Sequence, residues 1–373
     1  MTPLQAATDA DPYAYYAVLR RNAPLMFDAD LGLWVASRAK TVEAVLAHPD
    51  CRVRPLHEPV PNAIAQGAAG QVFARLMRMN EGAAHRCPRS AIEPALAAVG
   101  APAVADRVAL LIDSVDNLET LMFNLPVAEV ASLLGFPTEQ LASVAGLTRD
   151  FVACLSPLSS ETQLRNAATG ASHLRQMFSA VFEQTALLAH IHRGDWQDVE
   201  GLTANLIGLL SQTCEATAGL IGNTLVMLAR RPDLVELIQR TPALTTALVE
   251  EVARYDSPVQ NTRRFVAARC TIGGHVLAAG DTVLVVLASA NRDGEANPDP
   301  DSFVLERTQR RSFSFGSGRH QCPGQQLALS IAAQAVLALL RRRPALLAGA
   351  GRFSYWPSLN GRIPKFHDTA PSQ

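Results

Sequence analysis

FGSGRHQCPG, residues 315–324, sets one thiol at the end of a glycine loop, and an apolar stretch of helical spacing follows from about Gly324 to Leu340. The glycines let the backbone fold close to the sulfur of Cys322 and aim N–H groups at it. The helix that starts after Gly324 adds the positive end of its dipole, and the ring of Phe315 keeps water from the sulfur. Together these features describe a thiolate whose charge is stabilised in place. The plainer alternative is an ordinary buried thiol in a glycine loop. Pro323 has no N–H to offer the sulfur, which predicts a less hydrogen-bonded, more electron-donating thiolate, unless the proline only shapes the turn.

Working outward, Glu251 and Arg254 lie three apart in LVEEVARYDSP, so they share one helical face and can pair. His85 and Arg89, four apart in AAHRCPR, also share a face. Pro88 between them is tolerated if the helix starts nearby. Arg264 follows SPVQNT, and His320 stands two residues before the cysteine.

The pattern F-x-x-G-x-x-x-C-x-G, with Phe315, Gly318, Cys322 and Gly324 in place, resembles the haem-binding loop of cytochromes P-450. The resemblance extends over nearly the whole chain. It implies the cytochrome P-450 fold: a mainly α, helical prism with a small β-region, as a single domain over residues 1–373. It implies haem b as cofactor, with Cys322 as axial ligand of the iron. His85, Arg89, Arg264 and His320 match the family's propionate contacts, and buried anions call for several converging donors. Glu251 and Arg254 match the ExxR pair that locks the cysteine loop. The family's third partner there is an arginine, and PDPDSF places Ser302 at its position. Arg307 or Arg310 is the expected substitute.

Family members carry A-G-x-[DE]-T in the long helix over the haem, and this chain has Gln212, Thr213, Cys214, Glu215 and Ala216. The acid is kept and the hydroxyl is lost. Gln212 and Thr213 stand four and three residues before Ala216, on its face. They are therefore candidates to donate the missing hydrogen bond, as are a substrate hydroxyl or an ordered water. The plainer reading is that both bond to the preceding turn. Thr217 points about 100° away around the helix.

Composition is consistent with this. Of 373 residues, 48% are hydrophobic and 18% charged, and the net charge is −1, which gives no basic face for nucleic acid. None of the six cysteines is spaced CxxC, and the first residues lack both a basic start and an apolar signal core, so a reduced, cytoplasmic setting is expected. The apolar run Leu202–Leu228 contains Asn205, Gln212, Glu215 and Asn223, which favours a buried central helix over a membrane span.

Periodicity predicts helices over about 72–256 and 323–342, and β structure mainly over about 25–40 and 259–310. His190 and His192, two apart, face opposite ways and are expected in solvent. The arginines 341–343 end a helix and complement its dipole with no need of a partner. Arg310, Arg311 and Arg319 flank the cysteine loop; the resemblance makes them candidates to meet an acidic electron donor, with a plain solvated surface as the alternative.

The resulting expectation is a haem-thiolate monooxygenase. It would oxidise a small organic substrate, by family habit a secondary metabolite, with O2. Electrons would come from a separate ferredoxin-type donor and its reductase, with no membrane or nucleic acid involved. The altered relay keeps two alternatives open. One is haem-thiolate chemistry of another kind, namely cyclisation, desaturation, dehydration or peroxide-driven oxidation. The other is a haem-binding protein without catalysis.

Overall fold

A computed structural model describes residues 1–181 and 198–367. His190 and His192 lie outside the described residues. The chain divides into two compact units: residues 1–59, 222–322 and 351–373 form the first, and residues 60–221 and 323–350 the second.

The first unit is built on a five-stranded sheet in the order β1-β2-β7-β4-β3. Its strands are β1 (Leu25–Asp28), β2 (Leu33–Ala36), β3 (Cys51–Arg52), β4 (Thr262–Val266) and β7 (Thr282–Val285). Strands β2 and β7 are parallel, with Trp34 opposite Val283, and the other pairs are antiparallel. The near-continuous apolar run at β7 reflects burial on both faces. Val283 and Val285 point into a core with Val42, Val45 and Leu46 of the Ala39–Ala47 helix. Leu284 and Val286 point into another core with Tyr16 and Leu19 of the Tyr13–Asn22 helix. The hairpin of β5 (Cys270–Ile272) and β6 (His275–Leu277) turns at Gly273 and Gly274, both at positive φ, as a tight hairpin turn requires. Strands β8 (Phe353–Tyr355) and β9 (Pro364–Phe366) form a second small hairpin.

The second unit is helical. The predicted central helix runs Val199–Arg230, and its second-unit part is mostly buried apart from Val199, Glu200, Gln212 and Glu215, which are exposed. Asn205, a polar interruption of the apolar run, proves to be a clamp. Its Oδ1 accepts from the Met77 N–H at 2.7 Å and its Nδ2 donates to the Arg75 carbonyl at 3.0 Å, which ties the 75–77 turn to the helix. Gly208, one turn on, allows close approach: a Cβ there would lie 2.9 Å from Leu76 Cδ2. Helix Gln325–Arg342 packs on helix Ala101–Leu111. Its terminal arginines do more than complement a dipole, contrary to expectation. Arg342 bonds the Ala109 carbonyl and the Asp113 carboxylate, and Arg343 donates to the Asp113 carbonyl at 3.3 Å. The open carbonyls at the end of one helix and the cations at the end of another satisfy each other. Among the described residues, no single helix is long and apolar enough to cross a membrane.

Glu129, in helix Leu125–Leu133, is wholly buried, and neither carboxylate oxygen has a hydrogen-bond partner. Burial pushes its carboxyl up to about 8, against the pull of Arg107. The group is therefore a neutral acid in the folded protein at neutral pH but ionised in the unfolded chain. With the folded pKa above the unfolded one, its proton stabilises the fold fully below the ordinary value of 4.5, and that stability is lost as pH rises through 8. We expect Glu129→Gln to be near neutral at pH ~5 and to stabilise the protein by on the order of 3 kcal/mol or more at pH ~9, measured by urea unfolding at both values. An equal effect at both pH values would refute the assignment.

Candidate functional site

The cysteine loop is anchored at its root before it reaches the thiol. Asn291 accepts the Phe313 N–H at 2.5 Å and donates to Ser314 Oγ at 2.9 Å, while Ser314 also bonds Ser257 Oγ at 3.0 Å. Asn297 clamps Arg311 from both sides, accepting its N–H and donating to its carbonyl, each at 2.9 Å. Gly316 and Gly318 then adopt φ of 71° and 69°, values that favour glycine. The loop closes where the Cys322 N–H donates to the Phe315 carbonyl at 2.8 Å. Of the six cysteines, Cys51, Cys154, Cys214 and Cys270 are buried, whereas Cys322 and Cys87 are exposed. Phe315 is half-buried, and the helix Gln325–Arg342 begins directly after Gly324.

Beneath this root lies a fully buried carboxylate. Glu251 meets Arg254 through both oxygens, at 2.7 and 3.0 Å, and both side chains are wholly inaccessible. The same carboxylate accepts the Val304 N–H at 3.0 Å, Arg307 Nε at 3.3 Å and Arg310 Nε at 3.0 Å. Burial works against its charge, but Arg254 and the other donors outweigh it and hold the carboxyl below its ordinary range. The arginine missing at position 302 is thus replaced in space by both Arg307 and Arg310. Ser302 contributes its carbonyl instead, which accepts from Arg254 at 3.0 Å and from Arg307 at 2.9 Å.

The three arginines that flank the loop each have partners. Arg310 points inward to Glu250 and Glu251. Arg319 donates to the carbonyls of His48 at 2.8 Å and Cys51 at 3.3 Å, and Arg311 pairs with Glu43. These three cations brace the loop and its neighbours. Of the three, Arg311 keeps about half of its side chain exposed, at 51%.

Of the residues matched to propionate contacts, Arg264 on β4 is buried and donates to Thr262 Oγ1 at 3.4 Å and the Arg263 carbonyl at 2.9 Å. His320 is half-buried in a short turn, Gly318–His320. In the second unit, His85 is buried on helix Ala83–Ala97, and Arg89 forms a two-pronged salt bridge to Glu93, both bonds 3.0 Å. Pro88 does not mark that helix's start. It stands inside the helix, five residues beyond Ala83, and is buried there. Packing therefore holds a proline where the N-terminal argument does not apply.

On the central helix, Thr213 Oγ1 donates to the Leu209 carbonyl at 2.8 Å. Its proton is directed to the preceding turn, as the plainer reading has it, and the Gln212 side chain is exposed. Ala216 is half-buried and Thr217 buried. Cys214 is buried, and that burial pushes its thiol up to about 12. Glu215 is exposed as a residue, yet burial of its carboxyl raises that group's pKa while Arg78 pulls it down. Reciprocally, burial lowers the pKa of Arg78 and Glu215 raises it.

Arg78 was not apparent from the sequence. It is the second arginine of RLMRMN, three residues after Arg75, and no local spacing pairs it with an acid at position 215. The turn that carries it, Met77–Met79, is the one that Asn205 clamps to the helix.

Comparisons with known proteins agree with this geometry. A family model described as Cytochrome P450 matches residues 199–343. The chain is 30% identical to cytochrome P450 monooxygenase PikC of Streptomyces venezuelae, across 94% of this chain and 88% of that protein. The chain belongs to the cytochrome P450 family. It is also 28% identical to the 20-oxo-5-O-mycaminosyltylactone 23-monooxygenase of Streptomyces fradiae, over 92% of this P450 and 85% of that one. The crystal structure of CalO2 superposes with a TM-score of 0.85 at 25% identity, covering 98% of this chain and 97% of the other. The mainly α P450 fold is thereby established, and the protein is an oxidoreductase of the P450 monooxygenase type.

We expect Glu251→Gln to destabilise this P450 by about 3–5 kcal/mol, because it leaves the buried Arg254 and the partly buried Arg307 facing a neutral amide, while Arg310 keeps only Glu250. Arg310→Met, which leaves Arg254 and Arg307 in place, should cost about 1–3 kcal/mol. Urea unfolding of the two variants orders the losses, and equal losses would contradict the shared-carboxylate geometry.

Proposed function

We propose that this P450 is a haem-thiolate monooxygenase that inserts oxygen from O2 into a small organic, secondary-metabolite substrate. The observation that carries the reading is the exposed Cys322 thiol at the tip of a glycine loop braced by the buried Glu251 cluster. That donor set fits haem b: the exposed Cys322 thiol for the iron, with Arg264 and His320 of the same unit for the propionates. Bound haem supplies an iron that binds and activates dioxygen. The electrons come from a separate ferredoxin-type donor and its reductase.

The protein's own part is to hold protons and orient substrate. Glu215, its carboxyl pKa raised by burial against the pull of Arg78, holds its proton to higher pH than a free carboxyl does. Ala216 offers no hydroxyl and Thr213 has spent its own. The hydrogen bond usually given by a threonine therefore falls to Gln212, to water or to a hydroxyl of the substrate. Arg78 beside this acid favours a polar substrate. The spent Thr213 proton also favours a second reading, in which the enzyme runs non-hydroxylating or peroxide-driven chemistry.

Reduced protein with carbon monoxide should show the Soret band of thiolate ligation, and Cys322→Ser should lose it while staying folded. An unchanged band in that variant sinks the reading. Ala216→Thr separates the two chemistries: more product and less peroxide leakage mark an incomplete oxygen-activating relay. Loss of product with no change in leakage marks an alanine whose space the substrate needs.

Arg78→Gln tests the acid. Arg78 favours the charged carboxylate, so removing it raises the Glu215 pKa further. The alkaline limb of the activity profile should then move to higher pH, and a limb that stays put would remove Glu215 as proton holder.

A further inference from the structure

The first unit holds a second cluster of soft donors, away from the cysteine at 322. We propose that His48, Cys51 and Cys270 form a binding site for one divalent metal ion of the zinc class. Their ligand atoms, one imidazole nitrogen and two sulfurs, all lie within 4.8 Å of one another. Donors around tetrahedral zinc stand roughly 3.3–3.8 Å apart, so closing the site takes side-chain shifts of about an ångström. Two thiols and an imidazole also suit zinc better than magnesium or calcium, which take oxygen ligands.

The backbone that carries the donors is fixed from several directions. Cys51 sits on β3, paired with Val266 of β4, and Cys270 opens β5 opposite Leu277. The Ala267 N–H donates to the Asp50 carbonyl at 2.7 Å and so ties the His48–Cys51 turn to the segment leading into Cys270. Arg319 grips the same turn through the carbonyls of His48 and Cys51. Cys51 is completely buried, whereas the His48 side chain is 25% exposed and leaves the ion a way in.

The Asp50 carboxylate lies 3.9 Å from His48 Nδ1 and adds negative charge beside the site. Binding through Nδ1 displaces the hydrogen bond that this nitrogen accepts from the Asp50 N–H at 3.2 Å. The three protein donors leave a fourth, tetrahedral position for water. The ion would pin the end of the Ala39–Ala47 helix to the β5–β6 hairpin, on the backbone that Arg319 of the cysteine loop also holds.

The test uses the haem-loaded enzyme, reduced, stripped with a chelator and titrated with Zn2+. The expected result is one zinc per chain, with X-ray absorption showing two sulfurs at about 2.3 Å and one nitrogen at about 2.0–2.1 Å. Affinity should fall at least tenfold in Cys270→Ser and in His48→Ala. These two are preferred to a Cys51 variant because Cys51 is completely buried, and an unaltered carbon monoxide spectrum reports that each is folded. Cys87→Ser, which changes the other exposed thiol, should bind as the parent does. Zinc held by nitrogen and oxygen alone, undiminished affinity in Cys270→Ser, or loss of binding in Cys87→Ser would overturn the proposal.

Discussion

The carboxylate of Glu251 is the constraint on which the first unit depends. It is wholly buried, and an isolated ion there would be prohibitive. Three guanidinia and one backbone N–H surround it, which leaves the cluster with excess positive charge. Carbonyl dipoles absorb that excess. Arg254 donates to Asn291, Pro300 and Ser302, Arg307 to Pro298, Asp299 and Ser302, and Arg310 to Leu305. The chain over 292–311 has almost no regular secondary structure, so its carbonyls lack ladder partners. The arginines satisfy the carbonyls, and the carbonyls and Glu251 satisfy the arginines. Neither the irregular segment nor the buried ions would be tolerable without the other.

The consequence reaches the thiol by short steps. Asn291 gives its carbonyl to Arg254 and its side chain to Phe313 and Ser314, and Asn297 fixes Arg311. The loop that ends at Cys322 therefore leaves a rigid root, and its two left-handed glycines bend a chain whose starting direction is already set. Function in this family asks for a sulfur at a defined place, and the structure meets that demand with polar anchors, whose geometry is directional, more than with apolar packing.

What could be read from the sequence was what is local. The cysteine loop, the i, i+3 pair of Glu251 and Arg254, the central helix and the Gly273–Gly274 hairpin each announce themselves within a few residues. Where the reading stopped, the partners were distant in the chain. Arg307 and Arg310 were named as alternatives, and only the tertiary arrangement brings both onto one carboxylate. The inward turn of Arg310 and the capping by Arg342 invert a surface reading, because a charged side chain near a loop or a helix end looks the same in sequence whether it faces water or a buried acid. Thr213 carried both readings openly, since bonding to the residue four back is a local option at any helical threonine. Arg78 had no local signal at all.

Three glutamates show how little residue type decides. Glu251, Glu129 and Glu215 all experience burial as a force against their charge. Glu251 has direct donors on both oxygens and is held ionised. Glu129 has none, and Arg107 acts on it only through space, so it is an acid that stays protonated at neutral pH. Glu215 lies between them: Arg78 favours its charge without an ion pair among the described residues. The first arrangement suits a structural ion and the second a passive core group. A group that must hold a proton and also surrender it needs the third, in which the charged form is neither locked by hydrogen bonds nor forbidden by burial. That balance is set on the central helix by a cation from the neighbouring 77–79 turn.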